Sequence, residues 1–467
     1  MRALICIPCL LTGGTEIQTL NTVHALVQGG HEVTVACYFE HTPYMVERYR
    51  KAGAKVHLFS PKGTRVGGYR AIPYLYKHLR RTIKEVRPDV THVQYMAPGA
   101  MVILLLWLMG VKNIIATAHT AADIYKDLRL LHFIQRHCLR AFTCITERAE
   151  RSFFGTSQLY TTETVLRKRN HFTIYNALPK ATALQSTVNG QQTTDFSNQR
   201  DNTEFRHDDE NLAAELRTTI NVERGTVNVE RGTWNDEQLC CNVDANQQSM
   251  TAINQRPEGA INRAEHFNRS TASLTGTEGA YSKLNTKRTL GVVSRLEPIK
   301  GMDLVVPAFA EVLKRFPEVR LLVVGDGSLR ATMEQQAAEL GCADRITWVG
   351  RQPQEELNKW YGQMGIVLMP SRSEGFGLTA IEAMANGCVM VASNVGGLPE
   401  VVRDGVCGLL HRTEDVHDMA DKVCALLDDA ALYDRLRAQS LTEVKKYSFE
   451  RYAEIVCNLY ERLTVSV

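Results

Sequence analysis

Several large classes of protein are excluded by what this chain lacks. No apolar run is long enough to cross a bilayer. The longest, Ala100 to Met109, has about half of the ~20 residues a spanning helix needs. Glycine (32) and proline (14) are too sparse for a collagen-like or low-complexity chain of 467 residues. The twelve cysteines are scattered, several in apolar runs where a free thiol packs as a small hydrophobe, so a disulfide scaffold is excluded as well. Cys6-Ile7-Pro8-Cys9 has CxxC spacing. It has no second ligand pair and no thioredoxin-like context, so neither zinc nor redox chemistry follows from it. Met1 to Leu11 is weakly apolar, but a Gly-Gly turn follows it rather than a small-residue cleavage site. The expectation is a first β-strand in a cytoplasmic protein with reduced, buried thiols.

What is present is an ordinary globular balance, 44% hydrophobic and 22% charged, with room for two or three domains. The net charge of +3 hides an asymmetry. Residues 1–180 carry 24 Lys+Arg against 11 Asp+Glu, 181–280 carry 8 against 15, and 281–467 carry 22 against 25. The basic first part points to an anionic partner or surface, against the plain alternative of scattered solvated cations.

Strand and helix signals alternate through the first part. Strands are predicted at 3–7, 32–38, 56–59, 89–95, 113–118, 141–145 and 172–175. The alternation stops over 181–280, where only 16 residues in 100 are Leu, Ile, Val or Phe and lysine is absent. A tandem repeat, Asn221–Val227 and then Asn228–Trp234, is too short for a solenoid. Alternation resumes at Thr289, with strands predicted at 290–294, 319–324, 345–349, 366–369, 389–392 and 408–410. Helices are predicted at 302–316, 330–340, 355–364, 379–386 and 415–430. Apolar strands separated by helices imply parallel sheets covered on both faces. The fold class is therefore α/β: two facing doubly wound, Rossmann-like domains, 1–180 and 288–467, separated by a polar acidic insertion, 181–287, expected to be mostly disordered. The last helix is expected to be able to return to the first domain. Ligands of such sheets lie beyond the carboxyl ends of the strands, in the cleft between domains.

Three segments carry chemistry. Gly13-Gly14-Thr15-Glu16 follows the first strand and opens a helix, so a backbone can approach an anion there. It lacks the third glycine of GxGxxG, which disfavours a dinucleotide site. Ser294-Arg295-Leu296-Glu297-Pro298-Ile299-Lys300-Gly301 follows the first strand of the second domain, and Arg295 and Lys300 could converge on a diphosphate. Pro370 to Met384 runs from a strand through a Gly-bracketed loop into a helix, with Glu374 in the loop and Glu382 in the helix. Amides around Gly375–Leu378 suit phosphate or sugar oxygens, and the carboxylates suit sugar and ribose hydroxyls. Each alone has a plain alternative: a turn, a solvated loop, or a charge favoured by a helix start.

Together with Ser393-Asn394-Val395-Gly396-Gly397-Leu398-Pro399-Glu400, these motifs resemble glycosyltransferase family 4, retaining enzymes of the GT-B fold that use nucleotide-activated sugars. The resemblance covers about 1–179 and 288–465 and is densest over 290–405. It implies that Glu374 binds hydroxyls of the donor sugar and that Gly375, Phe376, Gly377 and Leu378 offer backbone contacts. It gives Glu382 the ribose, Arg295 and Lys300 the departing diphosphate, and Gly14 the phosphates or sugar. His119, in Ala116-Thr117-Ala118-His119-Thr120, would face the sugar, and Arg351 falls where a loop meets the base, through backbone rather than side chain. Tyr175-Asn176-Ala177-Leu178-Pro179 departs from the family's Asn-Gly-Ile-Asp segment. The implied reaction is retaining transfer to a hydroxyl of a glycan or lipid-linked acceptor bound by the first domain, as in polysaccharide and cell-envelope synthesis. No Asp-x-Asp motif stands at a strand end, so no metal and no cofactor beyond the nucleotide-sugar co-substrate is expected, and no nucleic-acid partner. The basic stretch Tyr69–Lys84 suggests peripheral contact with an anionic membrane, the alternative being a surface helix with a normal apolar stripe. Competing readings are a nucleotide-sugar epimerase or phosphorylase on the same fold, or a non-catalytic nucleotide-sugar-binding scaffold.

Overall fold

The computed structural model describes residues 1–94, 96–121, 128–165, 170–180 and 286–465. The acidic insertion expected at 181–287 therefore lies outside the described residues, apart from 286 and 287, which open a short 3-10 turn, Thr286–Arg288.

Among the described residues thirteen parallel strands form two sheets. The first holds β1 (Arg2–Ile7), β2 (Glu32–Cys37), β3 (Lys55–Leu58), β4 (Val90–Gln94), β5 (Ile114–Ala118), β6 (Ala141–Cys144) and β7 (His171–Thr173), in the order β3-β2-β1-β4-β5-β6-β7. The second holds β8 (Thr289–Val293), β9 (Arg320–Val324), β10 (Ile346–Gly350), β11 (Ile366–Met369), β12 (Val389–Ser393) and β13 (Gly408–His411), in the order β10-β9-β8-β11-β12-β13. Each sheet reverses its strand order beside its first strand, the switch point at which doubly wound folds bind ligands. The strands are apolar without alternation because both faces are covered: all five residues of β4, β5 and β12 are buried.

One face of the first sheet is covered by α1 (Gly14–Gln28) and α2 (Pro43–Lys51). The other is covered by α3 (Ala71–Val86), α4 (Met96–Leu108), α5 (Leu128–His137) and α6 (Glu147–Phe154). In the second domain α7 (Val305–Leu313), α8 (Arg330–Glu339), α9 (Leu357–Tyr361), α10 (Leu378–Ala385) and α11 (Leu398–Val401) follow the strands in turn. The helix predicted at 302–316 is split into a 3-10 turn, Met302–Leu304, and α7. Pro307 is the cause: a proline fits only the first turn of a helix, so the α-helix starts two residues before it. The end of the chain forms α12 (Val416–Asp428), α13 (Ala430–Glu443) and α14 (Phe449–Val465).

Although it belongs to the end of the chain, α14 packs on α1 in the first domain. Tyr452 hydroxyl pairs with Thr22 at 2.7 Å, Tyr460 hydroxyl with His92 Nδ1 at 2.6 Å, and Tyr160 hydroxyl donates to Asn458 at 2.9 Å. Val456, Leu459 and Leu463 join the core of the first sheet. Among the described residues no helix is long and apolar enough to cross a membrane. The described cysteines are unbridged, and Cys6 and Cys9 lie at the end of β1 and in the turn after it.

Candidate active site

The two domains meet along the carboxyl ends of their strands, and backbone approaches backbone there. A Cβ on Gly375 would collide with the carbonyl oxygen of His119, and one on Gly14 would touch Leu378 Cδ1 at 3.4 Å. Gly397, after β12, would likewise strike the Gly375 carbonyl and lies against the Thr146 methyl. Gly397 N–H donates to the Glu374 carbonyl at 3.0 Å, which fixes the turn after β12 to the loop after β11. Glycine stands at 375 and 397 because a side chain there would hold the domains apart.

Within this cleft Lys300 and Glu374 form an ion pair, Nζ to Oε2 2.7 Å, with both side chains largely shielded from water. Lys300 reaches Glu374 because Gly301 next to it takes a left-handed turn, φ 64°, directly under the Pro370 carbonyl, where any side chain would clash. A second tie is made by Arg372. Its guanidinium binds both oxygens of Asp303 (2.7 and 2.8 Å) and both of Glu414 (2.5 and 2.8 Å), and donates to the Pro298 carbonyl. Arg372 holds the Asp303 carboxyl below its ordinary range. The turn bearing Lys300 and the loop bearing Glu374 are thus clamped together by a residue that the sequence motifs did not single out.

Glu382 lies one turn inside α10 and is 9% exposed. Gln354 Nε2 donates to one carboxylate oxygen at 2.8 Å and Tyr361 hydroxyl to the other at 3.0 Å. Burial pushes its carboxyl up to about 7, with those two hydrogen bonds pulling the other way. Gln354 and Tyr361 were also unmarked by the sequence, since they lie 28 and 21 residues from Glu382.

His119 follows β5 directly and is buried. Its Nε2 lies 2.8 Å from the amide oxygen of Gln94, so Nε2 carries the proton and donates. Burial alone lowers its pKa to about 3, leaving a neutral ring at any physiological pH. Gln94 turns its amide nitrogen toward His92 Nε2 (3.4 Å), and His92 also contacts the Thr117 and Tyr460 hydroxyls at 2.6 Å each. These side chains line a cavity of about 30 Å³ beneath the cleft, room for about two waters. Gln18, whose amide nitrogen is buried without a protein partner, also lines it.

The remaining predicted site residues are placed differently. Phe376 is buried between Tyr175 and Tyr447, its ring edge-on to Tyr447 at 5.5 Å, so only its backbone can meet a ligand. Leu378, the first residue of α10, packs into the cores of both domains. Gly377 precedes it at φ 100°. Arg295 is exposed in the turn after β8. Arg351 is exposed after β10, and its charge is felt by the phenol of Tyr44 on α2 across the cleft. The loop it belongs to reaches Glu382 through Gln354. Ala177, in the segment that departs from the family pattern, is buried, its N–H donating to Gln18 and its carbonyl accepting from Asn21. Among the described residues no group of three or more His, Cys, Asp or Glu is placed to hold a metal ion.

Facing doubly wound domains with cations, carboxylates and glycine-backed amides at their common cleft define a two-domain α/β protein with a ligand cleft at the carboxyl ends of its strands. Comparisons with known proteins agree. The pattern described as "Glycosyl transferases group 1" matches residues 278–442, and that of "Glycosyltransferase Family 4" matches 12–155. The first domain thus matches the family 4 pattern and the second the group 1 pattern. The chain is similar to the D-inositol 3-phosphate glycosyltransferases of Nocardia farcinica, at 39% identity over 36% of this chain and 39% of that protein, and Corynebacterium efficiens, at 35% identity over 38% and 44%. The match therefore spans well under half the length of these relatives. Among solved structures, Anabaena HepE in complex with UDP superposes with a TM-score of 0.63 at 14% identity, covering 99% of this chain and all of that one. Sucrose-phosphate synthase from Thermosynechococcus elongatus gives 0.60 at 18% identity over the full length of both. The architecture is GT-B, as the sequence leads one to expect.

Proposed function

We propose that this chain is a retaining glycosyltransferase that moves a sugar from a nucleotide-sugar donor to a hydroxyl of a glycan or lipid-linked acceptor. The observation that carries the reading is the Lys300–Glu374 pair in the loop whose Gly375 abuts the His119 carbonyl, with Glu382 held on the helix that the same loop opens. Glu374 takes donor-sugar hydroxyls and Glu382 the ribose diol. Lys300 and Arg295 stabilise the diphosphate as its bond to the anomeric carbon lengthens, the point at which negative charge develops. The sugar passes through an oxocarbenium-like state. The acceptor hydroxyl enters on the face the diphosphate leaves, and the leaving phosphate oxygen takes its proton. His119, being neutral, orients the sugar by hydrogen bonding. The backbone at Gly14, Gly375, Phe376, Gly377, Leu378 and Arg351 lines the donor.

Two cations in place of a metal make the reaction metal-independent in this proposal, so activity survives a chelator. The reaction is placed in the cytoplasm, where unbridged thiols persist, with the basic first domain against an anionic membrane.

The test is a thermal-shift and hydrolysis screen against UDP-, GDP- and ADP-sugars. A ligand raises the melting point in proportion to the logarithm of its concentration over Kd, so the true donor stands out and is hydrolysed slowly without acceptor. Conversion of the sugar nucleotide to an epimer, or turnover only with inorganic phosphate, would replace transfer by one of the competing activities. Binding without any turnover would make the chain a scaffold.

A further inference from the structure

The face of the first sheet turned toward α1 and α14 changes character along its strands. Over β1 and β2 it is apolar, with Ile5, Ile7, Val33 and Val35 in the core. Toward the carboxyl ends of β4, β5 and β6 it turns polar: His92, Gln94, Thr117, His119 and Thr143 are all buried. Alternation puts His92 with Gln94, and Thr117 with His119, on that one face, and the parallel register sets Gln94 beside Thr117. Buried polar groups cost stability unless they bond to one another, and here they do. Neither imidazole is charged: burial lowers His92, like His119, to about 3, with the neighbouring His119 a lesser cause for His92. A neutral ring carries one proton, and the bonds its nitrogens make decide which of them holds it. The Gln94 amide turns its oxygen to His119 Nε2, at 2.8 Å, and its nitrogen to His92 Nε2, at 3.4 Å. It therefore accepts on the His119 side and donates on the His92 side. Thr117 hydroxyl holds the same His92 nitrogen at 2.6 Å, and the Tyr460 hydroxyl of α14 lies 2.6 Å from His92 Nδ1. Flipping the amide would require both imidazoles to change tautomer at once.

We infer that Gln94 is the positioning residue of His119: its amide oxygen fixes the plane and tautomer of the ring, and His92 and Tyr460 hold the amide from behind. His119 stands where the domains meet, its carbonyl against Gly375. A ring set in this way presents the same hydrogen-bonding edge to the cleft in every molecule, which is what a site must do to orient a ligand. The end of the chain thereby takes part in the site, although Tyr460 and His92 lie 368 residues apart. That the ligand of His119 is a donor sugar rests on the transferase reading, whereas the fixed tautomer does not.

The test is nitrogen NMR of the full chain with isotope in its histidine rings, the His119 signals being those lost in His119→Asn. The expected spectrum shows a proton on Nε2 and none on Nδ1, unchanged from about pH 6 to about pH 8. Gln94→Met keeps the shape of the side chain and removes the acceptor. It should leave His119 exchanging between tautomers. It should also cut kcat by about 10²-fold for hydrolysis of whichever of UDP-, GDP- and ADP-glucose the screen selects, with KM within about threefold. Tyr460→Phe should cut kcat by roughly fivefold in the same way. Tyr452→Phe, which breaks the bond to Thr22 on the same helix face, should leave kcat as in the parent. A proton on Nδ1 of His119 in the parent overturns the inference. So does a folded Gln94→Met chain with the parental tautomer and unchanged kcat. Equal losses in Tyr452→Phe and Tyr460→Phe overturn the part given to Tyr460, since α14 would then act by packing alone. Should Gln94→Met fail to fold, the parental spectrum and the kcat of Tyr460→Phe decide. If the tautomer is as expected and is lost in Gln94→Met while no sugar nucleotide is hydrolysed, the positioning stands and the transferase reading falls. Hydrolysis with a tautomer indifferent to Gln94 gives the reverse.

Discussion

Glu382 is where charge and burial conflict most directly. Its carboxyl sits at about 7 in the folded protein because it is buried, against about 4.3 for a free glutamate. Between those values the folded protein holds a proton that the unfolded chain has released. Its contribution is therefore a loss of stability as pH rises through that window, of roughly 4 kcal/mol in all, complete above about pH 7. A ribose diol donates hydrogen bonds and so favours the carboxylate. Nucleotide affinity should accordingly rise from pH 6 to pH 8, measured by calorimetry. Glu382→Gln should flatten that rise and relieve part of the stability loss at pH 8; an affinity that falls with pH in the parent would remove Glu382 from the ribose. Lys300 raises a different question, because its ammonium is already bonded to Glu374. An arriving diphosphate competes for that ammonium, and the reward comes when the phosphate charge grows. Lys300→Ala and Arg295→Ala should each cut turnover by ~10²–10³ while changing nucleotide affinity far less. Turnover within a few-fold of the parent in both would exclude them from the diphosphate site.

At the scale of elements, the site depends on two loops from different strands holding one geometry. Arg372 bridges them through Asp303, Glu414 and the Pro298 carbonyl. Arg372→Ala should lower turnover by about tenfold by letting the Lys300 turn and the Glu374 loop drift. Asp303→Ala should add little on top of it, because both changes remove one interaction. Additive effects in the double-mutant cycle would mean that the clamp does not position the site. This level also separates what could be read in the sequence from what could not. The strands were legible because a parallel sheet buried on both faces writes itself as short apolar runs, and Ile366–Met369 forms over its predicted range. The split at Pro307 needed only closer attention to proline. The clamp and the partners of Glu382 were not legible: Asp303 and Arg372 are 69 residues apart, and nothing local in either segment marks the pairing. The weakly amphipathic α13 was missed for a related reason, since few of its residues, Tyr433, Leu436 and Ser440, are buried.

The whole molecule is tied together at two levels of strength. The rim contacts are polar and exposed to salt: Tyr44 hydroxyl donates to Glu355, and Arg48 lies 3.6 Å from the same carboxylate. Deeper in, Glu400 accepts from the first two amides of α6, at 2.9 and 2.5 Å, so a carboxylate of the second domain caps a helix of the first. Neither compares with α14. Tyr452, Val456, Leu459, Tyr460 and Leu463 are buried in the core of the first sheet. At ~1.5–3 kcal/mol for each buried side chain they contribute about 10 kcal/mol, as much as the net stability of a typical domain. The two sheets are therefore not two independently folding halves, since the end of the chain completes the first. Residues 1–180 produced alone should show no cooperative thermal transition by circular dichroism, and a peptide of residues 449–465 should restore one in trans. A sharp melt of the fragment near that of the full chain would mean that the sheet and α1 suffice without it. The hydrogen bond from Tyr460 to His92, two residues before Gln94 on β4, would then be an attachment of the helix and not part of the support for His119.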